Sequence, residues 1–193
     1  MISEQILPPR LPEQWSSSYI SYWQPMQKDD QITSGICWFD YEQNRCRIDG
    51  LFNPWSEEKT GHRLWMSEIV TASEGKTKKS KIAYYREPAQ GETEYAAVVL
   101  DDDLETCHEV LLRQDVLLQY QASYAGSQTL LGRETEAWTF TKPGKGPSTY
   151  YFVKGTNQLI RMVTGDPEVH ASIRDFPNFT THAIADEVFL NGA

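Results

Sequence analysis

The fold is decided by the stretch Leu64-Trp65-Met66-Ser67-Glu68-Ile69-Val70, which follows a Pro-bearing turn in Gly50-Leu51-Phe52-Asn53-Pro54-Trp55-Ser56-Glu57. Side chains alternate along a β-strand, so this stretch places Leu64, Met66, Glu68 and Val70 on one face. A carboxylate therefore lies on an otherwise apolar face, where a charge must be paired, protonated or used in chemistry. Glu68 is a candidate general acid or base; alternatively, it pairs with an arginine across the sheet or faces solvent.

Turn signals recur roughly every ten residues outward from this strand, and short runs rich in β-branched and aromatic residues lie between them. This spacing is typical of an antiparallel, mainly β domain rather than a βαβ protein. The predicted strands are 17–23, 34–41, 46–52, 63–70, 80–86, 95–100, 129–141, 148–154 and 158–164. Two short helices, at about 113–121 and 181–189, are expected to cover the sheet. Periodicity leaves open whether the sheet is a half-open barrel or a sandwich.

Length and composition predict one domain over residues 1–193, in which the proline-rich residues 1–14 form an extended arm. The net charge of −9 and the pI near 4.9 argue against binding to nucleic acid or anionic membranes. The basic run 76–81 is predicted to be a solvated hairpin loop. The N-terminus lacks a secretory pattern and no apolar run is long enough to span a membrane, so we expect a cytoplasmic protein.

Short motifs point to no cofactor. The sequence contains no GxGxxG after a strand, no GxxxxGK[ST], no HExxH and no GxSxG, and its four histidines are scattered. We therefore expect neither a metal nor an organic cofactor. The string Gly144-Lys145-Gly146-Pro147-Ser148-Thr149 is predicted to be a hairpin turn. Cys37, Cys46 and Cys107 are expected to be reduced, although a hairpin disulfide between the first two is geometrically conceivable.

Other polar side chains are candidates for a ligand site. Tyr19 and Ser21 share a face of the first strand, and ordinary half-buried packing is the competing interpretation. Asn53, between Phe52 and Pro54, is either a turn former or an outward-projecting amide, because the residue before proline is held extended. Phe52 and Trp55 place aromatic rings next to it. Arg174 either pairs with the adjacent Asp175 or binds a ligand carboxylate.

Several long strings are characteristic of one family. They are WSSSYISYWQPM (15–26), DDQITSGICWFDY (29–41), RIDGLFNPWSE (47–57), LWMSE (64–68), GKGPST (144–149), RMVTGD (161–166) and RDFPN (174–178). In these strings the chain closely resembles the VioE family of violacein biosynthesis proteins, and the likeness extends from about Pro8 to Phe189. The likeness is weakest between about 71 and 128.

The resemblance implies a fold, an activity and a site. The fold would be a curved antiparallel sheet like that of the lipoprotein carriers LolA and LolB, and the protein would be a homodimer. It would act without a cofactor on the indole-3-pyruvate imine dimer, shifting one indole ring to give protodeoxyviolaceinic acid instead of chromopyrrolic acid. It would stand between the enzyme that forms the imine dimer from tryptophan and the flavin monooxygenases that complete the pigment.

The family's implicated residues fall on Tyr19, Ser21, Phe52, Asn53, Glu68 and Arg174, all identical in type. Glu68, with its pKa raised by burial, would move protons, Tyr19, Ser21 and Asn53 would orient the reacting atoms, and Arg174 would hold a carboxylate. Phe52 and Trp55 would contact the indoles. Templating of one conformer is an alternative account of the activity. A non-catalytic carrier for a hydrophobic small molecule is the alternative function.

Overall fold

The computed structural model describes residues 7–52, 63–73, 76–85, 94–100 and 112–190. Within these residues, eleven strands form one antiparallel sheet. The strands are β1 Gln14–Gln24, β2 Thr33–Asp40, β3 Arg45–Phe52, β4 Arg63–Ser73, β5 Lys76–Tyr85, β6 Glu94–Leu100, β7 Ser123–Leu130, β8 Arg133–Thr141, β9 Pro147–Val153, β10 Leu159–Asp166 and β11 His170–Asp175. A one-turn helix, α1, covers Val116–Gln119, and a 3₁₀ helix covers Asp186–Phe189.

The strand order is β6-β5-β4-β3-β2-β1-β11-β10-β9-β8-β7. The first six strands therefore run outward from the centre to one edge, and the last five return from the other edge to pair β11 with β1. Within the described ranges, the edge strands β6 and β7 do not pair with each other, so the sheet is open. The predicted curved antiparallel sheet is confirmed, and the sandwich alternative is wrong.

Alternation along β1 sets the two faces of the sheet. Trp15, Ser17 and Tyr19 are buried, whereas the residues between them are partly exposed. The register places Tyr19 opposite Gly35 on β2, and Gly35 opposite Gly50 on β3. Two glycines therefore lie in one row with the Tyr19 ring. We call the face that carries Trp15, Ser17 and Tyr19 the concave face.

One hydrophobic core fills the concave face. It joins residues from both halves of the sheet, such as Phe39 and Tyr150, to Leu112, Val116 and Leu117. These last three belong to residues 112–122, which we call the covering segment. Trp15 stacks on Phe39 with ring centroids 4.7 Å apart. Because a four-residue helix is not stable alone, its packing on these apolar side chains holds it in place.

The covering segment is also tied to the rest of the chain by hydrogen bonds. The Tyr41 hydroxyl donates to the Leu112 carbonyl oxygen at 3.1 Å. The backbone N–H of Leu11 donates to the Gln114 carbonyl oxygen at 3.1 Å, so the N-terminal residues lie against this segment. The described part of the predicted arm, residues 7–14, is therefore attached to the fold, and its last residue, Gln14, already belongs to β1.

Several secondary-structure predictions need correction. The helix predicted at 113–121 exists only as Val116–Gln119, and the one predicted at 181–189 is a single 3₁₀ turn at Asp186–Phe189. The predicted strand 129–141 is a hairpin, because the chain turns at Leu131 and Gly132, which both have positive φ. The predictions also missed β11. The string 144–149 lies at the predicted hairpin turn between β8 and β9.

The basic run 76–81 is not a loop but most of β5. Thr77 and Ser80 are buried there, and Lys79 reaches a carboxylate on β4. Cys37 and Cys46 are buried free thiols, as predicted, whereas Cys107 lies outside the described residues. No helix in the described parts of the chain is long and apolar enough to cross a membrane.

Candidate functional site

The centre of the concave face brings together three of the predicted site residues. Ser21 pairs with Arg174 of β11 on one side and with Thr33 of β2 on the other. Tyr19 lies two residues before Ser21 on the same face of β1. The strands β1 and β11 are neighbours in the sheet although more than 150 residues separate Ser21 from Arg174 along the chain.

Tyr19 is buried, and its ring lies beneath the guanidinium of Arg174, with Cζ 5.1 Å from the ring centroid. This distance is within the range of a cation–π contact. Its hydroxyl lies over Gly50, because a Cβ built at that position would meet the hydroxyl oxygen at 2.7 Å. Burial raises the pKa of Tyr19, an effect that the nearby Arg174 charge opposes. Within the described residues no group hydrogen-bonds this hydroxyl, so it is free to bond a ligand.

Arg174 is not paired with its neighbour in sequence. Asp175 points to the opposite face, where it accepts two hydrogen bonds from Arg161, from Nε at 2.5 Å and from an Nη at 2.8 Å. The competing interpretation of Arg174, a local ion pair with Asp175, is therefore wrong. Among the residues that the structure describes, no carboxylate lies within 4.0 Å of the Arg174 guanidinium. This half-buried cation is thus available for an anionic group of a ligand.

Glu68 lies on the same concave face, two strands away from Cys37. The register runs from Cys37 of β2 to Ile48 of β3 and on to Glu68 of β4. Glu68 is 8% exposed and forms an ion pair with Lys79 of β5. One alternative for Glu68 was an ion pair with an arginine across the sheet; the structure shows an ion pair, but with a lysine. A lysine in contact favours the charged carboxylate, which opposes the effect of burial.

Of the three remaining predicted residues, only the backbone of Phe52 is placed. Asn53 and Trp55 lie outside the described residues. Phe52 ends β3, and its backbone pairs with Thr33, which in turn pairs with Ser21. The backbone register thus puts Phe52 in the same row as Ser21 and Arg174.

A small cavity of about 50 Å³ lies between the sheet and the covering segment. It is lined by Tyr19 and Arg174, by apolar side chains such as Met162 and Leu112, and by the thiol of Cys37. Sites for small organic ligands usually measure about 300–1,000 Å³. The cavity is therefore too small, as the structure has it, for a ligand of that size.

Sequence reasoning missed two features of the site, Gly50 and Met162. Gly50 gives the Tyr19 hydroxyl its space. Met162 lies between Arg174 and Tyr150 in the register of β11, β10 and β9. Strand alternation places both residues on a face, but only the register of the whole sheet shows that the face is the one carrying Tyr19. In the described ranges, no group of three or more His, Cys, Asp or Glu side chains is arranged to hold a metal ion.

Comparison with known proteins adds a family and a fold. The family model described as "Violacein biosynthetic enzyme VioE" matches residues 8–189. No curated protein matches the chain in sequence. Among solved structures, the chain is similar to an uncharacterized conserved protein from Thermus thermophilus, with a TM-score of 0.53 and 10% identity over 91% of this chain and 83% of that one.

Two further structures are similar at lower scores. They are the MucA/MucB complex of Pseudomonas aeruginosa, with a TM-score of 0.48 and 10% identity over 93% of this chain and 56% of that one, and a LolA superfamily protein from Nitrosomonas europaea, with a TM-score of 0.41 and 7% identity over 94% and 92%. At such identities the likeness concerns the fold alone.

Proposed function

This chain belongs to the VioE family of violacein biosynthetic enzymes, and from that premise we propose that it converts the indole-3-pyruvate imine dimer into protodeoxyviolaceinic acid. The distinguishing step is an intramolecular migration of one indole ring, accompanied by loss of ammonia and of one carboxylate as CO2; the reaction needs no cofactor, and it diverts the dimer from chromopyrrolic acid. The observation that carries this proposal is the pairing of Arg174 with Tyr19 on the concave face. A cation without a carboxylate partner among the described residues lies there beside a hydroxyl without a hydrogen bond.

Each residue type has a role in this reaction. Arg174 binds a carboxylate of the substrate through paired N–H donors, which fixes one pyruvate unit against the sheet. The hydroxyls of Tyr19 and Ser21 hydrogen-bond the imine nitrogens and orient the migrating ring. Asn53 adds an amide, and Phe52 and Trp55 bury the indole faces.

Glu68 is proposed to move the proton. The Glu68 carboxylate, in contact with Lys79, acts as a base that takes a proton when the imine becomes an enamine and returns it after the ring has moved. The carboxylate finishes in the state in which it began, so the residue acts as a catalyst. Positioning by the other groups supplies the remainder of the effect.

Entry of the substrate is proposed to require displacement of the covering segment. Tyr41→Phe removes the hydroxyl that donates to Leu112 and so lowers the free energy needed to open the segment, by about 1 kcal/mol. The substrate concentration at half-maximal rate should then fall several-fold, because more molecules are open. Tyr124→Phe, which removes an exposed hydroxyl contact with Ser127, is the matched control. An unchanged half-saturation point in Tyr41→Phe would show that the segment does not limit entry.

A product assay tests the function itself. The enzyme that forms the imine dimer is supplied with tryptophan, with and without this protein, and the products are separated. Our proposal requires protodeoxyviolaceinic acid to replace chromopyrrolic acid in amounts far above the amount of protein added. A carrier, the alternative function, would leave the product ratio as it is.

We also propose that the protein acts as a homodimer in the cytoplasm, between the dimer-forming enzyme and the downstream flavin monooxygenases. Ile20 and Ile36 lie exposed on neighbouring strands of the face opposite to Tyr19, at 46% and 41%, and such apolar side chains favour association. Sedimentation at micromolar concentration checks the dimer, and a monomer at that concentration would end this part of the proposal.

A further inference from the structure

Lys142 lies at the end of the concave face far from Glu68, in a box of aromatic rings. Lys142 directly follows the last residue of β8, and strand alternation places it on the concave face with Trp138 and Phe140. Its Nζ donates to the Tyr150 hydroxyl at 3.3 Å. The same Nζ lies 5.9, 5.7 and 5.8 Å from the ring centroids of Tyr120, Phe140 and Tyr150, so three rings surround the ammonium.

The ammonium of Lys142 has no carboxylate partner among the residues that the structure describes. Within the described residues no Asp or Glu oxygen lies within 4.0 Å of Lys142, although the chain carries a net charge of −9. Burial lowers the pKa of Lys142, and repulsion by the nearby cation Lys145 lowers it further. Rings and one hydroxyl stabilise an ammonium less than a carboxylate does. Two of its three N–H donors remain for another acceptor.

Lys142 and Arg174 lie over one continuous row of residues. Tyr150 of β9 pairs with Met162 of β10, and Met162 pairs with Arg174 of β11. Since neighbouring strands are about 4.8 Å apart, the backbones of Tyr150 and Arg174 are separated by roughly 10 Å. The concave face thus holds two cations at either end of a strip formed by Tyr150 and Met162. Tyr150 feels both: its hydroxyl contacts Lys142, and the Arg174 charge opposes the rise in its pKa that burial causes.

We propose that Lys142 anchors the second carboxylate of an aromatic dicarboxylate whose first carboxylate binds Arg174. This inference rests on the proposed function, since a dimer of indole-3-pyruvate imine carries one carboxylate on each pyruvate unit. The two cations would fix both ends of the substrate, and the strip between them would contact its rings. Only one of the two possible placements of an asymmetric intermediate then brings the migrating ring towards Tyr19.

Equilibrium binding tests the inference independently of turnover. The probe is chromopyrrolic acid, a stable bis-indole dicarboxylic acid, and its dimethyl ester is the uncharged comparison. The variants are Lys142→Met, which keeps the length of the side chain, Lys142→Arg, which keeps its charge, and Lys145→Met as a matched control on the same turn. Calorimetric titration gives the Kd, and thermal denaturation follows stability.

Lys142→Met should weaken binding of the diacid about tenfold or more, as expected for a lost charged hydrogen bond. It should leave binding of the diester unchanged, and Lys142→Arg should bind the diacid nearly as the wild type does. Equal affinity of Lys142→Met and wild type for the diacid would overturn the inference. Equal weakening of diacid and diester binding, together with a lower Tm, would also overturn it, because Lys142 would then be a packing residue. Failure of the wild type to bind either probe would overturn it as well. If the proposed function alone failed, these affinities would hold while the product ratio stayed unchanged.

Discussion

One methyl group added at position 50 should displace the Tyr19 hydroxyl and leave the rest of the fold in place. In Gly50→Ala the new Cβ would lie 2.7 Å from the Tyr19 hydroxyl oxygen, and the next atom near it, the backbone oxygen of Ser34, is 4.0 Å away. The clash therefore falls on the far end of one side chain and not on the backbone. The hydroxyl must move by roughly 0.7 Å to restore ordinary contact.

The size of the effect follows from this shift. Overpacking of this kind costs about 1–3 kcal/mol of stability, and part of that is offset because alanine is better than glycine in a strand by about 0.5–1 kcal/mol. The protein should therefore stay folded with a modestly lower Tm. A displacement of about 1 Å in a reacting geometry costs up to 10²-fold in rate, so product formation should fall by about 10- to 100-fold.

The assay combines product formation in the coupled reaction with thermal denaturation. Gly146→Ala is the matched control, because its new Cβ would have no neighbour nearer than 3.7 Å and should change neither readout. The double variant Tyr19→Phe/Gly50→Ala removes the clashing oxygen, so it should regain stability without regaining activity. Full activity of Gly50→Ala at a lowered Tm would refute the reasoning, since the hydroxyl would then have moved without consequence.

Three further predictions concern the same face of the sheet. Glu68→Gln should lower product formation about 10²-fold and reduce stability by roughly 1–3 kcal/mol, because the ion pair between Glu68 and Lys79 is lost. Glu134→Gln, in an exposed lysine pair, should change neither rate nor Tm. A fully active Glu68→Gln would leave templating as the mechanism. Gly35→Ala should yield little folded protein by circular dichroism, because its Cβ would lie 1.8 Å from a backbone oxygen of β3. A soluble variant with a normal Tm would contradict the pairing register of β2 and β3. Burial raises the pKa of the Cys37 thiol from 9.0 to about 12, so the stability linked to this proton is present below pH 9 and lost as the pH rises towards 12. Urea unfolding at about pH 8 and about pH 11 should therefore show that the free energy of unfolding falls less with pH in Cys37→Ala than in wild type. An equal fall in both proteins would contradict this prediction.

Strand alternation made most of the sheet predictable, because buried and exposed residues differ clearly along strands such as β1. The hairpin at Leu131 could not be predicted in the same way, since leucine rarely adopts a positive φ and its sequence carries no strong turn signal there except Gly132. The helix at 181–189 was wrong for a different reason. Its apolar residues suit a helix face, but the backbone N–H of Ile184 donates to Gln14 of β1, and the Val188 carbonyl oxygen accepts a hydrogen bond from Arg47 of β3.

The candidate site was predictable in its residue types and not in its pairings. Tyr19 and Ser21 share a face by simple alternation, whereas their meeting with Arg174 depends on β11, which the strand predictions missed. The partner of Glu68 was missed because the lysine-rich run 76–81 has the composition of a loop. Only the register shows that Lys79 shares the face of Glu68, so an ion pair replaces an isolated carboxylate.

Among the described residues, Arg174 and Lys142 lack the carboxylate partner that other cations of the sheet have, Lys79 on the concave face included, and this difference supports a ligand role for the surface around them. On the opposite face, Arg161 pairs with Asp175 and Arg47 with Asp49, so these arginines are neutralised within the chain. Among the described residues, Arg174 and Lys142 have no such carboxylate. Acidic residues outnumber basic ones by 27 to 18, so a shortage of carboxylates does not explain the contrast. Two uncompensated cations on an aromatic surface are costly in the free protein, and a dicarboxylate ligand that neutralised both would recover that cost as binding free energy.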